Sequence, residues 1–94
     1  MEKISVHLII EGRVQGVWYR GWTVQKATEL GLSGWVRNRG DGSVEISVGG
    51  PKAKIKALIS ACYEGPPLAQ VSHIQCDKVA EVYEMSGFKQ RSSI

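Results

Sequence analysis

From Ile4 to Ile10 every second residue is a branched aliphatic. Ile4, Val6, Leu8 and Ile10 share one face of an extended chain, and Ser5, His7, Ile9 and Glu11 share the other. Side chains alternate faces along a strand, so this segment has one face to cover and one mixed face. Such a strand needs neighbours at its edges and a layer over its apolar side. The rest of the chain offers both. Thr23, Ala27 and Leu30 form a stripe that predicts a helix over residues 22–30. Leu30-Gly31-Leu32 reads as its stop, with Gly31 left-handed and Leu32 folding back on the last turn. A strand follows over 33–39, Gly40-Asp41-Gly42 makes a tight turn, and 43–48 returns with Val44, Ile46 and Val48 inward and Glu45 and Ser47 outward. Gly49-Gly50-Pro51 opens a second helix, with Pro51 at its first position and Ile55, Leu58, Ile59 and Cys62 as the buried stripe. Glu64-Gly65-Pro66-Pro67 ends it. Residues 69–77 alternate again, more weakly. A loop or ragged extension is expected over 79–87, then a short edge strand at Phe88 and a frayed tail over 91–94.

The order strand, helix, strand, strand, helix, strand predicts an α+β, ferredoxin-like βαββαβ sandwich. Its antiparallel sheet carries both helices on one face. Right-handed crossovers place the first strand, and the loop after it, at the middle of the sheet. A single domain over 1–94 is expected at this length.

The formal net charge is +3, spread over both halves of the chain. That balance permits nucleic-acid binding without pointing to it, and a small anionic substrate fits equally well. Ile4–Ile10 is too short and too alternating for a signal segment or a membrane span, which places the expected protein in the cytoplasm. Cys62 and Cys76 lack CxxC spacing and a nearby His; they read as reduced thiols, with a disulfide or a zinc site as alternatives. His7 reads as solvent-facing or packed under a neighbour rather than catalytic.

The chemistry concentrates in Gly12-Arg13-Val14-Gln15-Gly16-Val17-Trp18-Tyr19-Arg20, between the first strand and the first helix. A loop at a helix N-terminus gathers N–H groups without intrahelical partners, and the helix dipole adds to their attraction for an anion. Gly12 and Gly16 give the backbone freedom a cradle needs. Arg20 is the informative residue. A cation in the first turn sits at the unfavourable end of the dipole unless an anion lies between, and a guanidinium fork suits two phosphate oxygens. A glycine turn beside a surface arginine explains the same residues. Neither a Walker A loop nor a GxGxxG motif is present, and the loop holds no cysteine to act as a nucleophile. The second cluster is Gly34-Trp35-Val36-Arg37-Asn38-Arg39-Gly40-Asp41-Gly42-Ser43-Val44-Glu45. Asn38 stands near the end of a strand, where asparagine is disfavoured; it serves either the turn or, through its amide, a bound water.

These two segments, with Leu30-Gly31-Leu32-Ser33-Gly34 between them, resemble the acylphosphatase family over residues 4–77. Gly50-Pro51 and Glu64-Gly65-Pro66 belong to the same likeness, and Phe88 resembles the family's closing aromatic. The resemblance implies hydrolysis of a small acyl phosphate to a carboxylate and inorganic phosphate, with neither metal nor organic cofactor. By the same match Arg20 corresponds to the phosphate-binding arginine and Asn38 to the asparagine that positions the attacking water. The backbone amides of Gln15, Gly16, Val17, Trp18 and Tyr19 would complete the cradle. Trp18-Tyr19 departs from the pattern, which often has glycine or phenylalanine and then phenylalanine. Trp18 is expected to cover the core, with the acyl side of the site as its alternative.

Phosphoryl transfer to water asks mainly for positioning and charge stabilisation, and a carboxylate leaves without a strong general acid. No Asp, Glu or His stands where a general base is needed, so a phosphate oxygen is expected to take the water's proton. Three other functions fit the chain less well. An RNA-recognition module shares the element order, but Ser43–Val48 carries no aromatic for stacking. A metal carrier lacks paired ligands, and a regulatory domain without activity is at odds with Arg20 and Asn38. The expected protein is therefore a monomer acting on a small acyl phosphate, with no nucleic acid or membrane partner.

Overall fold

The computed structural model describes residues 2–80 and 87–94. Seven elements follow one another: β1 (Lys3–Arg13), α1 (Tyr19–Glu29), β2 (Ser33–Asn38), β3 (Val44–Pro51), α2 (Lys52–Glu64), β4 (Gln70–Val79) and β5 (Phe88–Gln90). The sheet order is β4-β1-β3-β2-β5, so β1, β3 and β2 are flanked on both sides. β1 pairs antiparallel with β3 and β4, and β2 pairs antiparallel with β3. The short edge strand expected at Phe88 is β5, which runs parallel to β2. Helix α1 packs over β2 and β5, and α2 over β1, β3 and β4. The two helices touch, so both cover one face and the ferredoxin-like α+β arrangement stands.

The alternating aliphatics form that covered face. Val6, Leu8, Ile10, Val36, Val44, Ile46 and Val48 are buried against Ala27, Ile55, Leu58 and Cys62 from the helices. Each large aliphatic removed from water contributes about 1.5–3 kcal/mol before chain entropy is counted. At the end of α1 the expected stop forms: Gly31 has φ 71°, Leu32 N–H donates to the Ala27 carbonyl at 2.9 Å, and Leu32 is buried. Pro51 caps α2 from just outside the helix instead of filling its first position. Most of the expected loop over 79–87 lies outside the described residues, with Val79 ending β4.

Two departures from the sequence pattern have local causes. The alternation in β4 is weak because of a bulge. Glu11 pairs with His73 and Gly12 with Val71, so Ser72 has no opposite residue. The extra residue returns Val71 to the core side beside Ile74. Gly12 is required at this bulge rather than in an anion cradle. Its φ is 125°, and a Cβ there would lie 2.2 Å from the Gln70 carbonyl oxygen.

The second departure is on the open face. Glu45 and Ser47 point away from the helices, yet both are buried. Glu45 lies directly opposite Arg37 on β2, whose Nε donates to Oε1 at 2.6 Å, while His7 Nε2 on β1 donates to Oε2 at 2.6 Å. Arg37 and Arg91 both lie over the Trp35 ring, at 4.8 and 4.7 Å from its centroid. His7 is thus committed to a cross-strand hydrogen bond.

Burial pushes the Glu45 carboxyl upward, but the hydrogen bonds from His7 and Arg37 outweigh it and hold the group below its ordinary value. A group lowered on folding adds stability that is complete above its unfolded value and is lost as the pH falls through the folded one. Asp41, lowered by its hydrogen bonds to Ser43, acts in the same direction. Urea denaturation from about pH 6 down to about pH 3 is expected to show declining stability. Glu45→Gln is expected to shallow that decline and to lower stability at the upper end. An acid slope unchanged in Glu45→Gln would remove Glu45 as its source.

Candidate active site

Between β1 and α1 the backbone makes consecutive bends from Gln15 to Trp18. Among residues 14–20 only Gly16 (φ 74°) and Trp18 (φ 66°) are left-handed, so the chain alternates hand through Gln15, Gly16, Val17, Trp18 and Tyr19. Alternating handedness turns successive N–H groups toward one concave side, an anion-binding nest. Among the described residues, no backbone hydrogen bond is donated by the N–H groups of Gln15 through Tyr19. The side chains point elsewhere and hold the loop in place: Val14, Val17 and Tyr19 are buried in the core. The Tyr19 hydroxyl donates to the Cys62 carbonyl at 2.6 Å, and burial raises its pKa far above the ordinary range.

Helix α1 starts at Tyr19, three residues before the Trp22 expected from its apolar stripe. Burial of Tyr19 and the first helical bond, Trp22 N–H to the Trp18 carbonyl at 3.0 Å, draw the helix back into the loop. Trp18 is the N-cap residue and makes no side-chain capping bond. Arg20 follows at the second helical position, no acid stands in that first turn, and none of the ion pairs found among the described residues includes it. An unpaired cation therefore stands at the positive end of the dipole.

Asn38 closes β2 and arrives at the same place. Its Oδ1 is buried with no hydrogen-bond partner. A buried amide oxygen left unpaired costs about 1–3 kcal/mol, so it is a position where a ligand or water is stabilising. Arg20 and Asn38 line one small cleft of about 120 Å³ with Gly16, Trp18, Gly21 and Gln90. The backbone of Asn38 is fixed by pairing with Val44 and by the Ile94 N–H, which donates to its carbonyl at 3.2 Å.

The two halves of the cleft are tied together by a side chain that the sequence did not mark. Gln15 Nε2 donates to the Arg39 carbonyl at 2.8 Å and to the Ser43 carbonyl at 2.9 Å, bridging from the loop to the β2–β3 hairpin. The hairpin is closed by the Arg39 N–H to the Ser43 carbonyl, and Asp41 accepts from the Ser43 N–H and hydroxyl.

Of the residues expected at the site, Gly16, Trp18, Tyr19, Arg20 and Asn38 border the cleft. Val17 turns its side chain into the core and Gln15 turns its own to the hairpin, which leaves only their backbone toward the loop's concave side. Trp18 does not cover the core: it is 62% exposed at the rim. Gly21 and Gln90 also border the cleft, and no spacing in the sequence signals either. Cys62 is a core residue whose thiol burial pushes up to about 12, far from a reactive thiolate. Among the described residues, no group of three or more His, Cys, Asp or Glu stands close enough to share a metal ion.

A family model described as acylphosphatase matches residues 6–90. An acylphosphatase of Rhodospirillum rubrum is 52% identical over 85 residues, covering 90% of this chain and 92% of that protein. Two solved structures share the fold closely. An acylphosphatase from Coxiella burnetii superposes with a TM-score of 0.89 at 37% identity, covering 95% of this chain and 93% of its own. One from Bacillus subtilis gives 0.90 at 32% identity, covering 94% and 98%.

The Gln15 bridge is open to measurement. Gln15→Ala removes two donors and is expected to lower stability by about 1–2 kcal/mol. Gln15→Glu, which sets a carboxylate against two carbonyls, is expected to cost more. Urea denaturation orders the two, and Gln15→Glu as stable as the parent would dismiss the bridge.

Proposed function

This chain belongs to the acylphosphatase family, hydrolases of acyl phosphates, and from that premise we propose how its cleft acts on a small acyl phosphate. The phosphoryl group sits in the loop, held by the backbone N–H groups of Gln15, Gly16, Val17, Trp18 and Tyr19 and by the Arg20 guanidinium. Its charge answers the unpaired cation at the helix N-terminus, which removes the electrostatic cost of Arg20 there. Asn38 Oδ1 accepts a hydrogen from one water and holds it facing phosphorus. The water oxygen forms a bond to phosphorus as the bond from phosphorus to the carboxylate oxygen breaks. The electron pair leaves with the carboxylate, and the water's proton passes to a phosphate oxygen. The products are a carboxylate and inorganic phosphate.

The observation that carries this reading is the convergence of two unsatisfied groups of opposite kind: Arg20 and the orphaned Asn38 Oδ1 border one cleft. One can neutralise an oxyanion; the other can orient a neutral nucleophile. The titratable groups of both motifs are engaged elsewhere, Glu45 with Arg37 and His7 and Asp41 with Ser43, which favours proton transfer to the substrate itself. In this scheme the rate gain comes from positioning and preorganised charge, with no cofactor and no metal.

We read the protein further as a cytoplasmic monomer without a nucleic-acid partner. In support, the net charge is only +3 and no aromatic stands on β3 to stack a base. No helix among the described residues is long and apolar enough to cross a membrane.

Release of phosphate from benzoyl phosphate, assayed with a chelator present, tests the scheme. Arg20→Ala is expected to abolish both orthophosphate affinity and nearly all turnover. Asn38→Ala is expected to keep orthophosphate affinity while turnover falls by roughly a hundredfold or more, the scale of one lost positioned group. Equal loss of phosphate binding in both variants would overturn the division of labour. A sharp ionisation in the pH–rate profile assignable to His7 or His73 would overturn proton transfer to the phosphate.

A further inference from the structure

Trp18 combines three features that its place in the fold does not explain. It is the one non-glycine residue with a positive φ among those described, at 66°, in a conformation that costs an ordinary side chain stability. It is 62% exposed, so the core gains little from its indole. The ring also has a reserved place: a Cβ on Gly21 would lie 2.0 Å from Trp18 Nε1, so the indole rests against the bare backbone of α1 where any other residue would push it off. That place is at the rim of the cleft that holds Arg20 and Asn38.

A cleft of about 120 Å³ is small beside the roughly 300–1,000 Å³ of typical ligand pockets, so once it accepts a phosphoryl group the acyl group extends past the rim. The geometry points to Trp18 as the acyl-side wall, a flat apolar surface selecting acyl phosphates with planar or aromatic acyl groups over short aliphatic ones. This rests on the hydrolysis proposed above only for the identity of the acyl group; the wall itself is a matter of binding. Val14 and Tyr19 also line the cleft but are buried beneath it, and Gln90 at the end of β5 is polar and exposed, so the exposed apolar surface at the rim belongs to the indole. Aromatic pairing of this kind corresponds to roughly three- to tenfold in affinity.

Two pairs of probes separate the wall from the chemistry. Phenylphosphonate against methylphosphonate reports binding by calorimetry, and benzoyl phosphate against acetyl phosphate reports kcat/KM. In the parent protein the aromatic member of each pair is expected to lead by roughly three- to tenfold. Trp18→Ala is expected to bring both ratios toward one, through KM rather than kcat, and Trp18→Phe to restore most of the preference. Gly21→Ala, which displaces the ring without removing it, is expected to reproduce the loss. A phosphonate ratio unchanged by Trp18→Ala and Gly21→Ala would overturn the inference. A preserved phosphonate preference without turnover of either acyl phosphate would uphold the wall and overturn the hydrolysis.

Discussion

The site depends on a loop whose anchoring side chains and backbone face opposite ways. Val14, Val17 and Tyr19 are anchored in the core, and the Tyr19 hydroxyl is bound to the carbonyl of Cys62 in α2. With every second or third residue pinned, the backbone between them keeps its alternating handedness, and five successive N–H groups have no backbone acceptor among the described residues. A loop without backbone hydrogen bonds of its own is held by packing below it rather than by bonds within it. Gln15 extends the constraint sideways. By donating to two carbonyls of the β2–β3 hairpin it fixes the distance from the loop to Asn38, which no element of the loop could set alone.

Arg20 and Arg37 show how environment divides two residues of one type. Arg37 stands in mid-sheet opposite Glu45, within 2.6 Å of its carboxylate and over the Trp35 ring. Its charge is satisfied inside the fold, and with His7 it lets a carboxylate be buried in the central strand β3. Arg20 has neither an acid in its helical turn nor one among the ion pairs of the described residues, and the dipole opposes it. The penalty of such placement is about 0.3–1 kcal/mol, small enough to keep and large enough to be removed when an anion arrives. In the proposed scheme the binding of an anion is thereby coupled to relief of a tension in the free protein.

Much of this was legible in the sequence because it rests on periodicity or on local turn chemistry. The strands from Ile4 and from Val44, the stripe Ile55–Leu58–Cys62 and the stop at Gly31 follow from patterns a few residues long. Arg20 was legible because charge and helix position conflict within one turn. What escaped depends on partners distant in sequence. The bulge that needs Gly12 is created by β4, about sixty residues on; Glu45 is buried by His7 and Arg37 on two different neighbours; and the Gln15 side chain finds its acceptors across the hairpin. The role of Trp18 was misjudged for a different reason. A large aromatic beside a core motif reads as core, and nothing in the sequence shows that its backbone is left-handed and its ring turned outward. The resemblance to a family that often carries glycine at this position held the only hint of that conformation.

That backbone sets a limit on what Trp18 can be for. In the left-handed region a side chain costs about 1–2 kcal/mol relative to glycine, and glycine would also serve as N-cap without strain. The indole recovers part of this against Gly21, but most of its surface stays in water. Aromatic stacking contributes about 0.5–1.5 kcal/mol, so an acyl group seated on the ring returns an amount of the same size as the strain, and only while substrate is bound. The fold alone gains nothing from that exchange, because the free protein carries the strain without the contact. A residue that weakens the resting chain and strengthens the loaded one is placed where stability yields to selectivity. Its exposed ring at the rim of the cleft, with phosphate and water assigned to other groups in the proposed scheme, leaves the acyl group as the part of the substrate against which that selectivity can act.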